Sequence, residues 1–392
     1  MTGPERQYLS GCRDKYLEDL RTDILPFWLK YGLDRENGGV YTCLDRDGTL
    51  MDGTKSVWFQ GRFGFIAALA YNRIEKNPEW LAASRSCIDF IERHCIDSDG
   101  HMFFKVTAEG APVQKRRYVF SECFAAMAMA EYSLAGGGET YARKALDMFL
   151  NIRKMISEPG FLPPKSCIPG RSHSITMMLI NVAAIVGQVA SNPAIEEQTD
   201  TSLHDLGTYF VHPEFKALLE SVGPDGEFLD TLDGRVINPG HCIETAWFIL
   251  GVAERRNDAH LKELALRILD WSWEWGWDKE YGGIINFRDC KGFPPQDYSQ
   301  DMKFWWPQCE AVIACLYAYK LTGDPKYLER HRLAHEWAYA HFPDPEYGEW
   351  YGYLHRDGTV AQAAKGNIFK GPFHVPRMMI IASGLCNDVL DA

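Results

Sequence analysis

KSVWFQGRFGFIAALAY, residues 55–71, places a short polar and aromatic entry ahead of an almost wholly apolar helical run. A helix apolar on every side has to be buried on every side, so this stretch cannot lie on a surface. The same pattern returns at RRYVFSECFAAMAMAEY (116–132), RVINPGHCIETAWFILGVAE (235–254), MKFWWPQCEAVIACLYAYK (302–320) and GNIFKGPFHVPRMMIIASGL (366–385), with a weaker copy at RSHSITMMLINVAAIVGQVA (171–190). Copies roughly 50 to 70 residues apart match the length of a helical hairpin plus an excursion.

Between the buried helices lie amphipathic ones. In HLKELALRILDWSWEWGW, from His260, the residues Leu261, Leu264, Ile268, Trp271 and Trp275 fall on one stripe, the spacing of a helix packed on one face. Similar stripes begin near Tyr8, Glu79, Thr140, Thr201 and Lys326. Six such pairs predict an all-α (α/α)6 barrel, a toroid with an inner ring of buried helices and an outer jacket, formed by residues 1–392 as one domain. Hairpin chemistry around Gly turns at residues 38–53, 99–113, 282–295 and 348–362 puts β-hairpins on the face where inner helices start. Loops held by a rigid scaffold carry function, so that face is expected to carry the site.

Composition excludes several classes. The 392 residues are 46% hydrophobic and 24% charged, an ordinary globular balance. The 41 Lys and Arg against 53 Asp and Glu give a net charge of −12 with no basic run, so nucleic acid and anionic membranes are poor partners. The N-terminal residues show no secretory signal pattern. The apolar stretch 177–190 is too short to span a bilayer. Eleven scattered cysteines without a CxxC pair, Cys87, Cys123 and Cys309 among them, fit reduced buried thiols and a cytoplasmic location, with neither a disulfide framework nor a metal site.

The first turns of the inner helices bring Arg62, Glu122, His241 with Glu244, Glu310 and His374 to one mouth. His241 and Glu244, three residues apart, share a helix face, and a carboxylate beside an imidazole fixes its tautomer. Taken singly, His241 is equally a helix cap and His374 a core histidine; in equivalent repeat positions they make a two-base site. Arg62 needs an anionic or polar partner, either a ligand or a structural ion pair with Glu122 or Glu310. Trp305, Trp306 and Tyr118 are aromatic candidates for a sugar face, with core filling as the alternative. His331 and His335 lie four apart on an outward-facing helix and are expected at a solvated surface. No GxGxxG, GxxxxGK[ST] or GxSxG occurs, which removes the dinucleotide, P-loop and hydrolase-elbow readings.

The strings VWFQGRFGF (57–65), VFSECFAAMA (119–128), PGHCIETAWFIL (239–250), KFWWPQCEA (303–311) and KGPFHVPRM (370–378) resemble the N-acylglucosamine 2-epimerase family along essentially the whole chain. The resemblance implies an (α/α)6 barrel and reversible C2 epimerisation of N-acetylglucosamine and N-acetylmannosamine. His241 and His374 match the catalytic histidines, and Arg62, Glu244 and Glu310 match active-site polar residues. No cofactor is required on this reading; ATP is expected as an activator that is not consumed, with Lys165 and Arg171 in the Pro/Gly-rich segment 159–173 as nucleotide candidates.

Cellobiose 2-epimerases in the same superfamily carry a further histidine on the third inner helix, where this chain has Met177 in TMMLIN; that departure favours an N-acylated monosaccharide. Pro372 stands where animal members have a cysteine, so no role of that cysteine transfers. The competing readings are a cellobiose or mannose 2-epimerase, an aldose–ketose isomerase, an inverting glycoside hydrolase using Glu122, Glu244 and Glu310, and a non-catalytic sugar-binding module. A homodimer completes the expectations.

Overall fold

The computed structural model describes residues 1–115, 119–158 and 170–392. Within them twelve long helices alternate between two rings. The outer set is α1 (Gly3–Asp19), α3 (Pro78–Phe90), α5 (Gly138–Ser157), α7 (Pro193–Asp205), α9 (Ala259–Gly276) and α11 (Pro325–His341). The inner set is α2 (Val57–Arg73), α4 (Phe120–Tyr132), α6 (His173–Val186), α8 (Pro239–Arg256), α10 (Trp305–Thr322) and α12 (His374–Asp391). Each inner helix packs on the next, and α12 returns to α2, so the ring closes. The (α/α)6 expectation is borne out.

Local sequence explains where the helices begin. Asn77, Asn192, Asp258 and Asp324 cap α3, α7, α9 and α11 with side-chain oxygens, and Pro or Ala follows at the first helical position; such residues satisfy orphan N–H groups at a helix start. The Asn192 cap starts α7 well before the stripe at Thr201. In α9 the buried face runs through Ala265, Ile268, Leu269, Ser272, Trp273 and Gly276, one residue round from the predicted stripe. Trp271 and Trp275 sit at its margin, where Trp275 donates its indole N–H to the carbonyl of Lys216 at 3.0 Å.

Each of the inner helices α2 to α10 packs on the outer helix that follows it, and α1 packs on α12. The approach of α1 to α11 corrects the surface expectation for His331. Its ring is fully buried, 3.0 Å from the Tyr8 hydroxyl, with His335 2.8 Å from that of Tyr16. Burial drives both imidazoles far down, to about 3 and about 4, so they are neutral packing elements between α11 and α1.

The hairpins shrink to two- and three-residue strands that stitch neighbouring repeats. Lys55–Ser56, which leads into α2, pairs with Lys105–Val106; Lys303–Phe304, which leads into α10, pairs with Tyr353–Leu354. Three buried lysines anchor this layer. Lys55, Lys303 and Lys365 reach Asp34, Asp278 and Asp344 at 2.7, 3.1 and 2.7 Å. Below them Gln60 and Gln308 grip the backbone of Val40 and Ile284. Gly39, at φ +74°, leaves room for Gln60; a Cβ there would meet Oε1 at 2.3 Å.

The ten cysteines among the described residues are all free and buried, as their apolar surroundings predict. No helix among the described residues is long and apolar enough to cross a membrane.

Candidate active site

The mouth forms where α2, α8, α10 and α12 begin. Asn238 caps α8 by accepting the His241 N–H at 3.1 Å, which frees the His241 ring from the capping role. Its Nδ1 lies 3.1 and 3.0 Å from the two oxygens of Glu220. Glu220 comes from the hairpin segment that precedes α8 and was not visible as a candidate in the sequence. Glu244, expected beside His241, instead meets Arg377 Nη2 at 2.5 Å. Three positions past His241, its carboxylate goes to the Arg377 guanidinium rather than to the imidazole.

The second imidazole is anchored in the same way. His374 Nδ1 lies 2.8 Å from Glu310 Oε1, which also accepts from Arg377 Nη2 at 2.7 Å. Glu310 Oε2 accepts the Trp247 indole N–H at 2.8 Å. A carboxylate is an acceptor only, so each histidine presents its proton at Nδ1 and leaves Nε2 for chemistry. Trp306 lies against both rings, its centroid 5.2 Å from His241 and 5.8 Å from His374. Trp305 is buried behind it, 6.1 Å from His374.

The two bases are tuned apart. Burial opposes charge on His241, but Glu220 outweighs it and lifts the imidazole above its usual value. Burial, seconded by the Arg377 charge, drives His374 well below. The charge of the His241 imidazole overcomes the burial of Glu220 and holds it far down in the ionised form. One imidazole is thus set to hold a proton and the other to take one, the arrangement acid–base catalysis requires.

Arg62 lies among Phe124, Phe373, Phe59 and Trp58, with its guanidinium 4.3 Å from the Phe124 ring centroid. Burial brings it down to about 9. Among the described residues it forms no ion pair with Glu122, Glu244 or Glu310, and its Nε has no hydrogen-bond partner. The structural-pair alternative therefore falls away.

Glu122 does not join the mouth. It accepts the Met102 N–H at 2.8 Å, the counterpart of the Gln60 and Gln308 grips, and burial lifts it to about 7. Met177 is buried within α6. Arg171 is exposed, stacks 3.9 Å over Tyr209 and donates to the Pro224 carbonyl. Tyr118 and Lys165 lie outside the described residues.

A cavity of about 670 Å³ opens on the opposite face, at the last turns of the inner helices. Arg377 and Trp247 form its inner end, but it reaches neither His241 nor His374 and is not the substrate mouth.

A helical toroid whose mouth presents two carboxylate-anchored imidazoles defines a carbohydrate epimerase. The chain belongs to the N-acylglucosamine 2-epimerase family, whose model matches residues 39–370. It is 37% identical to the N-acylglucosamine 2-epimerase of Bos taurus over 402 residues, covering 98% of this chain and 94% of that protein. A cellobiose 2-epimerase of Ruminococcus albus is 25% identical, over 92% of this chain and 95% of its own. The structure of cellobiose 2-epimerase from Spirochaeta thermophila superposes with a TM-score of 0.86 at 22% identity, over 99% of this chain and 100% of that one.

Proposed function

We propose that the protein interconverts N-acetylglucosamine and N-acetylmannosamine by inverting C2 of the ring-opened sugar. The opposed pair His241 and His374 carries this reading. Ring opening exposes an aldehyde that acidifies the C2 proton; one imidazole removes that proton and the other returns one to the opposite face. Arg62, a cation with no carboxylate partner, stabilises the charge that develops on O1 of the enediolate-like intermediate. Trp306, between the two rings, supplies a flat apolar floor for the sugar, and Glu220 and Glu310 hold the imidazoles in their working tautomer.

The deciding experiment follows C2 proton exchange in deuterated solvent. His241→Ala and His374→Ala are each expected to abolish epimerisation; near wild-type C2 exchange retained in both overturns the two-base mechanism. Incubation with a disaccharide separates the rival chemistry, because release of free sugar signals hydrolysis.

The proposal extends to a cytoplasmic homodimer that ATP activates without being consumed, with Arg171 as the described nucleotide candidate. Unchanged activity on adding ATP to nucleotide-stripped enzyme removes the nucleotide effect, and a monomeric mass by light scattering removes the dimer.

A further inference from the structure

Two clusters flank the mouth, and they differ in what sits between their electron-rich atoms. In the first, Glu244, Glu310 and His374 converge on the guanidinium of Arg377, so a cation of the protein already fills the centre. In the second, the ligand atoms of His173, Glu220 and His241 lie within 4.8 Å of one another, and among the described residues no lysine or arginine is paired with that carboxylate.

Proton positions sharpen the contrast. The Thr245 hydroxyl donates to the His241 carbonyl at 2.8 Å, so its oxygen is left to accept from His173 Nε2, also at 2.8 Å. That fixes the His173 proton on Nε2 and turns a lone pair on Nδ1 toward Glu220 Oε2, 3.6 Å away. His173 is fully buried, and its Nδ1 has no hydrogen-bond partner. A buried lone pair facing a carboxylate is an unfavourable contact that a cation between them would relieve.

The geometry points to a site for a single divalent transition ion, such as Zn²⁺ or Co²⁺, held by His173 Nδ1, Glu220 and His241 Nδ1. Two imidazoles and one carboxylate are a common donor set for such ions, with bonds of roughly 2.0–2.2 Å. The separations of 3.0 Å from His241 Nδ1 to Glu220 Oε2 and 3.6 Å from there to His173 Nδ1 suit neighbouring vertices of a tetrahedron. Thr245 plays the outer part that such sites need, orienting the His173 ring through its other nitrogen.

The ion would inhibit. As the metal–Nδ1 bond forms, protonated His241 releases its Nδ1 proton to water and keeps the proton on Nε2. The metal then stands where the Nδ1 proton stood, and His241 becomes a neutral metal-bound imidazole whose Nε2–H is a far weaker acid than the imidazolium it replaces, so it no longer returns a proton to C2. Inhibition rests on the role given to His241 above; the binding site does not.

The test titrates Zn²⁺, and Co²⁺ as a visible probe, into the purified full chain, following binding by calorimetry and cobalt absorption. One ion per chain is expected, with His173→Asn abolishing binding and Thr245→Val weakening it about 10–100-fold. Zn²⁺ should raise the melting temperature of the parent and not that of H173N. Absence of binding to the parent, or equal affinity in H173N, overturns the site; should H173N fail to fold, an unchanged affinity in T245V does the same. Zn²⁺ should also stop epimerisation, with recovery on adding a chelator. Binding with the expected mutational pattern but undiminished epimerisation leaves the metal site standing and overturns His241 as the acid of the pair.

Discussion

Glu310 holds His374 through a single oxygen, 2.8 Å from Nδ1, and presents the same oxygen to Arg377. The imidazole thus inherits its orientation from a carboxylate that is itself fixed by a guanidinium and by the Trp247 indole. Glu310→Gln preserves shape but loses the acceptor-only character that fixes the tautomer. Its kcat should fall about 10–100-fold, by analogy with the loss of outer partners that orient histidines in metal sites, with KM changed far less. A KM rise at constant kcat would show that Glu310 serves binding instead.

Activity should fall as pH rises past the elevated value of His241, because the protonated form of that ring is the acid of the pair. His374, pushed down, stays neutral across the same range. Glu220→Gln removes the charge that lifts His241, so the alkaline limb of kcat/KM should move to lower pH. A limb that stays in place rejects His241 as its origin.

The N-acyl group should contribute about 10 to 200-fold in kcat/KM over an unsubstituted hexose, the worth of a small apolar group in a matching pocket. Comparable or higher kcat/KM for mannose, glucose or cellobiose than for N-acetylmannosamine would overturn the substrate and leave the two-histidine chemistry intact.

Buried ion pairs make the hairpin layer sensitive to acid. Burial opposes charge on Asp34, Asp278 and Asp344, yet hydrogen bonds from Lys55, Arg356 with Lys303, and Arg46 with Lys365 outweigh it and hold all three carboxyls low. A group depressed in the folded state stabilises fully above its unfolded value, about 3.9 for Asp, and loses that contribution as pH falls toward its folded value. Melting temperature should therefore drop below about pH 4. Lys303→Met strands Asp278 without its buried partner and should cost about 3–5 kcal/mol in denaturant unfolding; a change under about 1 kcal/mol would show that Arg356 alone suffices.

The toroid was legible because six runs too apolar for any surface demand an interior, and alternation with striped helices leaves few arrangements. His241 and His374 were legible because both occupy the start of such a run. Their carboxylates divide: Glu310 stands in the quoted strings, whereas Glu220 lies 21 residues before His241 on a hairpin whose approach depends on tertiary folding. The i,i+3 rule pointed to Glu244, and Arg377 won it, since a buried guanidinium attracts both nearby carboxylates more strongly than an imidazole does. Glu122 shared the position of Gln60 and Gln308 and took their backbone-gripping work. The lysine anchors have their own mark in the recurring Asp-x-Glu-x-Gly of DRENGG (34–39), DKEYGG (278–283) and DPEYGE (344–349).

Closure of the ring by α12 has a consequence for how the enzyme comes into being. His374 and Arg377 stand on α12, between α10 and α2, and translation delivers that helix after the other eleven of the two rings. Until it docks, the apolar flanks of two inner helices face water at the ribosome exit, and Glu244 and Glu310 lack their guanidinium. No nascent chain that lacks α12 can turn over sugar, and the interval before α12 docks is when the growing protein most needs a chaperone.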